Sequence, residues 1–177
     1  MKIIESACHF RKEVAAVNQA VDPELLLDRL YDLIPKYDWF VGEDFFRGMG
    51  EVVAYAKFNR GRHLFLREWV YDALNRPGTE EFRRALFVLA HETGHLVLHF
   101  RSGKAFARND SGSLENLRTD TLQEREASIF AGSLIIPTTE IDYNLSPGTV
   151  SRLYGPSYSV AKCGLAEARF YQTVKKR

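Results

Sequence analysis

The apolar positions of the chain fall into two periods, and the changes between them outline its middle. Behind Asp22-Pro23-Glu24, residues Leu26, Leu27, Leu30, Leu33 and Ile34 recur at helical spacing. An aspartate that can cap, a proline at the first helical position and an acid in the first turn predict a helix start there, and Pro35 predicts its end. The aromatic, glycine-bearing segment 36–50 has no clear period and reads as a packed connection. Val52 to Phe58 and His63 to Trp69 are β-prone runs flanking Asn59-Arg60-Gly61-Arg62, which predicts a hairpin. After Arg76-Pro77-Gly78, Thr79 heads a proline-free stretch to about Phe100 with acids at Glu80 and Glu81, the pattern of one long helix. Small and polar residues over 101–120 predict a long loop, a candidate flap or substrate-facing segment. A third helix is expected from about Leu122 to Ile136, stopped by Pro137, with shorter helical pieces after Pro147-Gly148 and Gly155-Pro156. The fold class expected is α+β: a mainly helical single domain over residues 1–177, with its core at about 50–140, C-terminal helices at about 141–177, and a small antiparallel or mixed sheet.

Composition narrows the function classes. The chain has 177 residues, 45% of them apolar, enough for one core. Its 24 basic and 23 acidic residues leave a net charge of +1, so no overall field draws it to nucleic acid or an anionic membrane, and direct binding to either is not expected. Glu5, His9, Arg11 and Lys12 interrupt the apolar residues of the N-terminal stretch, which therefore lacks the hydrophobic region of a signal peptide. The cytoplasm is the expected location. Cys8 and Cys163 match no paired metal-binding spacing and read as reduced thiols. Cys8-His9 stands alone, and ordinary packing is the simpler account of it.

The candidate chemistry lies in HETGHLVLH, residues 91 to 99. On a helix His91 and His95 are about 6 Å apart along the axis and about 40° apart around it, so both imidazoles can converge on one ion. Glu92 points about 100° away from His91, beside such an ion, where it can act as general base toward water. Phe87, Val88, Leu89, Ala90, Leu96, Val97 and Leu98 make the helix apolar nearly all round, and a buried helix keeps His and Glu together only where they have partners. Gly94 costs about 1 kcal/mol relative to alanine in mid-helix, for which close approach of a neighbouring element is one reason and simple tolerance the alternative. His99 lies about 12 Å along the axis from His91, too far to share its ion. It reads as a neighbour that supports the ligands, or as a satisfied buried histidine.

A catalytic zinc usually takes three protein ligands and keeps a position for water, so a third donor must come from elsewhere. In QEREASIFAGSLIIP, residues 123 to 137, Glu126 heads a face with Ile129, Phe130, Ser133, Leu134 and Pro137, and an acid on that stripe calls for a metal or a cation. Glu124 lies about 200° round the helix and is expected to be solvated. HETGHLVLH followed by EREASIFAGSLIIP resembles the ImmA/IrrE family of metallopeptidases, in which an HExxH helix precedes a helix of the form E-A-x-x-F-A-x-x-L-x-x-P. Glu126, Ala127, Phe130, Ala131, Leu134 and Pro137 fit that form, and the likeness spans about residues 50 to 140. It implies a zincin-like fold with a small sheet on the HExxH helix, one zinc ion held by His91, His95 and Glu126, and Glu92 as the group that activates water. Thr93 and Ile136 depart from the residues common in the family, and residues 1–49 show none of its pattern.

The function so expected is that of an intracellular zinc endopeptidase; the resemblance implies regulatory cleavage of a specific protein, such as a helix-turn-helix repressor. An alternative from another class is a metal-binding regulator or toxin-antitoxin partner that acts by contact and hydrolyses nothing. A third reading gives the metal a purely structural role. Tyr143, Tyr154, Tyr158 and His63 are candidate donors to a developing oxyanion, although His63 also reads as an ordinary strand residue.

Overall fold

A computed structural model describes residues 2–16, 19–58, 60–99, 106–109 and 121–175. Helix α1 (Lys2–Val14) is followed by α2 (Pro23–Leu33), strand β1 (Tyr37–Val41), a 3-10 turn (Glu43–Phe46), β2 (Val52–Lys57) and β3 (Arg62–Leu66). Then come α3 (Glu68–Leu74), α4 (Glu80–Leu98), β4 (Phe106–Asn109), α5 (Thr121–Ile135), α6 (Pro147–Tyr154) and α7 (Tyr158–Lys175). The architecture is α+β, helices around a four-stranded mixed sheet of order β1-β3-β2-β4. β1 runs parallel to β3, and β2 is antiparallel to both β3 and β4.

Local chemistry sets the boundaries. Asp22 Oδ1 accepts from the backbone N–H of Glu24 and Leu25 at 2.9 and 3.3 Å and starts α2. Thr79 Oγ1 accepts from Phe82 N–H at 3.0 Å and starts α4. Gly155, at φ 80°, closes α6 in the left-handed conformation. The end of α5 is tied by Arg11, whose buried guanidinium donates to the carbonyl oxygens of Leu134 and Ile135, each at 2.8 Å, and also to that of Gln19. A cation there meets carbonyls that have no partner within the helix.

The hairpin read from the sequence forms, with Tyr55 opposite Phe65 and Ala56 opposite Leu64. Its second strand ends at Leu66, short of the expected Trp69, because Val70, Ala73 and Leu74 take helical spacing and bury that face in the core. Segment 36–50, without a period in the sequence, contains β1 and the 3-10 turn. α1 had no counterpart among the expected elements. Of the expected 101–120 loop, residues 106–109 are strand β4; the remainder, with any flap role, lies outside the described residues.

Sheet faces divide by alternation. Ala54, Ala56, Leu64 and Leu66 are fully buried, and α4 packs against β2 and β3. On the outer face Phe65 stacks on Tyr55 and Phe40, with ring centroids 4.5 and 5.1 Å away, and Phe45 and Phe46 cover this group from the 3-10 turn. α4 rests most extensively on α5, which in turn contacts α1 and α7. Among the described residues no helix is long and apolar enough to cross a membrane.

Candidate metal centre

Two helices supply the site. α4 carries His91, Glu92 and His95, all buried, with Glu92 wholly inaccessible. α5 approaches this stretch at Gly94, where a Cβ atom would lie 3.0 Å from the Cα and 3.1 Å from the carbonyl oxygen of Ala127. Any side chain at position 94 would hold the helices apart, so the close approach anticipated from that glycine has a physical cause.

At this crossing three polar side chains converge. His91 Nε2 is 3.1 Å from His95 Nε2 and 3.1 Å from Glu124 Oε2, and His95 Nε2 is 3.2 Å from Glu124 Oε1. Two donors each about 2.0–2.1 Å from a tetrahedral zinc would be about 3.3 Å apart, so the set has the spacing of a ligand triangle. Two neutral imidazoles and a carboxylate are also a donor set suited to zinc. Burial pushes the Glu124 carboxyl upward, but the hydrogen bonds and charges of His95 and His91 outweigh it and hold the group well below the usual carboxylate range. Glu124 is thus an anion facing two nitrogen donors, an arrangement that favours a cation between them.

This corrects the expectation for the acids of α5. Glu126 does not join His91 and His95; its Oε2 lies 3.0 Å from His99 Nε2. Glu124, expected to be solvated, is the carboxylate of the triangle, its side chain only 15% exposed. Glu124, Ala127, Ser128 and Ala131 share one face of α5, and that face meets α4. The stripe chosen from the sequence, through Phe130 and Leu134, is buried as well, because α5 is enclosed on almost every side. A usable signal was present in the small residues Gly94, Ala127 and Ala131, which mark a close helix crossing with Glu124 one turn before it.

The remaining candidates are engaged as follows. His99 lies against His95, Nδ1 to Nδ1 at 3.0 Å, as well as against Glu126. Ser128 Oγ, which sequence reading passed over, is 3.3 Å from His91 Nδ1. Thr93 hydrogen-bonds back to the Leu89 carbonyl at 2.8 Å and is buried within the core. His63 sits by Phe40 and Phe65 on the outer sheet face. Tyr154 is buried beneath the Arg11 guanidinium, Tyr143 lies by Arg169, and Tyr158 is exposed. Cys8 is buried and Cys163 exposed, both as free thiols.

Residues 79–162 match the family model of peptidase M78, the IrrE N-terminal-like domain. No curated protein matches the chain. The matched segment begins at the cap of α4, after the hairpin, and continues beyond α5 into α7, further than the sequence motifs alone reached. Residues 79–162, which hold both helices of the site, are thus similar to the IrrE N-terminal-like domain of peptidase M78.

Proposed function

We propose that the protein is a zinc-dependent endopeptidase that acts on a specific regulatory protein, such as a helix-turn-helix repressor, in the cytoplasm. The observation that carries this reading is the convergence of His91 Nε2, His95 Nε2 and the Glu124 carboxylate, one oxygen toward each histidine, to 3.1–3.2 Å, next to the buried acid of an HExxH helix in a segment similar to a peptidase family. His91, His95 and Glu124 would hold one zinc ion, which when bound supplies Lewis acidity toward water and a peptide carbonyl. Glu92 accepts the proton from the attacking water and returns it to the departing amine. The apolar surroundings of α4 keep bulk water from that carboxylate and strengthen its local interactions. A partner that merely docks would need the ligands but not Glu92, so the two functions separate at that residue.

The test is elemental analysis of purified wild type and Glu124→Ala, followed by incubation with a candidate repressor. One zinc per chain in the wild type, near-zero zinc in the variant and cleavage by the wild type alone are expected. A cognate protein that binds the zinc-loaded wild type and is recovered intact would overturn the peptidase reading.

A further inference from the structure

His95 is contacted from both sides of its ring. Nε2 faces His91 and Glu124, while Nδ1 lies 3.0 Å from Nδ1 of His99, whose Nε2 is 3.0 Å from Glu126 Oε2. Donor and acceptor capacities put this line in order. An ionised carboxylate only accepts, so the His99 nitrogen facing Glu126 carries a proton. The opposite nitrogen of that ring, Nδ1, is then the one placed to accept, and two ring nitrogens in hydrogen-bond contact need one proton between them. That proton belongs to Nδ1 of His95. Its Nε2 is left with the lone pair directed toward His91 and Glu124.

We propose that His99 and Glu126 are positioning residues of the metal centre, fixing the tautomer and ring angle of His95 so that its Nε2 is presented as a ligand. The inference rests on the reading of His91, His95 and Glu124 as the metal site. His91 provides a contrast. Its Nδ1 meets the Ser128 hydroxyl at 3.3 Å, and a hydroxyl both gives and accepts, so that contact orients the ring without selecting a tautomer. The His95–His99–Glu126 line has one direction only, and with His99 6% exposed, solvent is poorly placed to replace it. Outer partners of this kind commonly change metal affinity by about 10–100-fold.

The experiment measures zinc affinity by competition with a chromophoric chelator for wild type, His99→Phe, His99→Asn, Glu126→Gln, Ser128→Ala and Glu124→Gln. Thermal melts and the Co²⁺ absorption spectrum at saturation are recorded beside it. His99→Phe keeps a planar ring but cannot accept from His95, and should weaken zinc binding about 10–100-fold. His99→Asn supplies a carbonyl near the same place and should recover most of the loss. Glu126→Gln should move in the direction of His99→Phe, and Ser128→Ala by less than either. The Co²⁺ spectrum of the His99 variants should keep its wild-type form, since the ligands are unchanged. Wild-type affinity in His99→Phe overturns the proposal. So do equal losses in the two His99 variants with equally lowered melting temperatures, which assign His99 to packing alone. Glu124→Gln with wild-type affinity and spectrum overturns the ligand set instead, and a wild type that takes up no zinc overturns both.

Discussion

Glu92 is wholly buried one residue after His91, and replacing it with glutamine preserves its shape while removing its capacity to take a proton. Glu92→Gln is therefore expected to bind zinc stoichiometrically and to cleave its protein substrate about 10²–10⁴-fold more slowly, measured by single-turnover proteolysis. Cleavage at the wild-type rate would remove Glu92 from the mechanism. The acids of α5 separate in a different measurement. Glu126→Ala should retain one zinc per chain with weaker affinity, whereas Glu124→Ala should lose the ion. His91, Glu92 and His95 were legible from the sequence because their geometry lies within one helix, whose pitch is fixed. Glu124 was not, because its role depends on which side of α5 meets α4, and a helix enclosed nearly all round carries no apolar stripe to reveal that side.

The docking of α5 is set by two contacts distant in sequence. Gly94→Ala would gain about 1 kcal/mol of helix propensity, but its Cβ would sit 3.0 Å from the Ala127 Cα, against backbone that can yield only by moving a helix. A net loss of about 1–2 kcal/mol is expected in urea denaturation, with weaker zinc binding because Glu124 moves with α5. Unchanged stability would show that the crossing has slack. Arg11→Met should cost about 2–4 kcal/mol in the same measurement, since it leaves the Leu134 and Ile135 carbonyls without their buried donor. Elements with local signals were readable: α2, α4 and α6 have capping side chains, and β2 and β3 flank a turn. β1 was not, because it lies parallel to β3 and is defined by pairing with a strand about 25 residues later, such as Tyr37 with Arg62. In α3, the β-prone Trp69-Val70-Tyr71 became helical because burying Val70, Ala73 and Leu74 outweighed strand preference.

Across the whole molecule, one buried cluster runs from α1 through the sheet to α7, with Ala7, Leu26, Leu64, Leu89, Phe130 and Leu165 among its members. Fold stability is thus spread well beyond the metal centre. Chelation should abolish cleavage and lower the melting temperature by the linkage term, RT ln(1 + [Zn]/Kd), while far-UV circular dichroism at 25 °C stays native. Unfolding on chelation would instead assign the metal a structural role. A second global property comes from Glu167, which lines a cavity of about 320 Å³ with Phe87, Ser128, Ile129 and Val160. Burial pushes its carboxyl up to about 7, against an opposing pull from Arg125. A raised pKa means that the folded state holds the proton more tightly than the unfolded chain. The associated stability is complete below the unfolded value near 4.5 and is lost as pH rises through about 7. Glu167→Gln should flatten the pH dependence of stability over that window by on the order of 1–2 kcal/mol, after allowance for solvent screening at a half-buried carboxyl. Identical pH profiles for the two proteins would refute this. The sequence by itself determined what acts within one element: the helix that pairs His91 with His95, the acid beside them, the caps and the hairpin. Only the tertiary structure decided which α5 carboxylate completes the triangle and which one supports His99, because those choices depend on the rotation and approach of one buried helix against another.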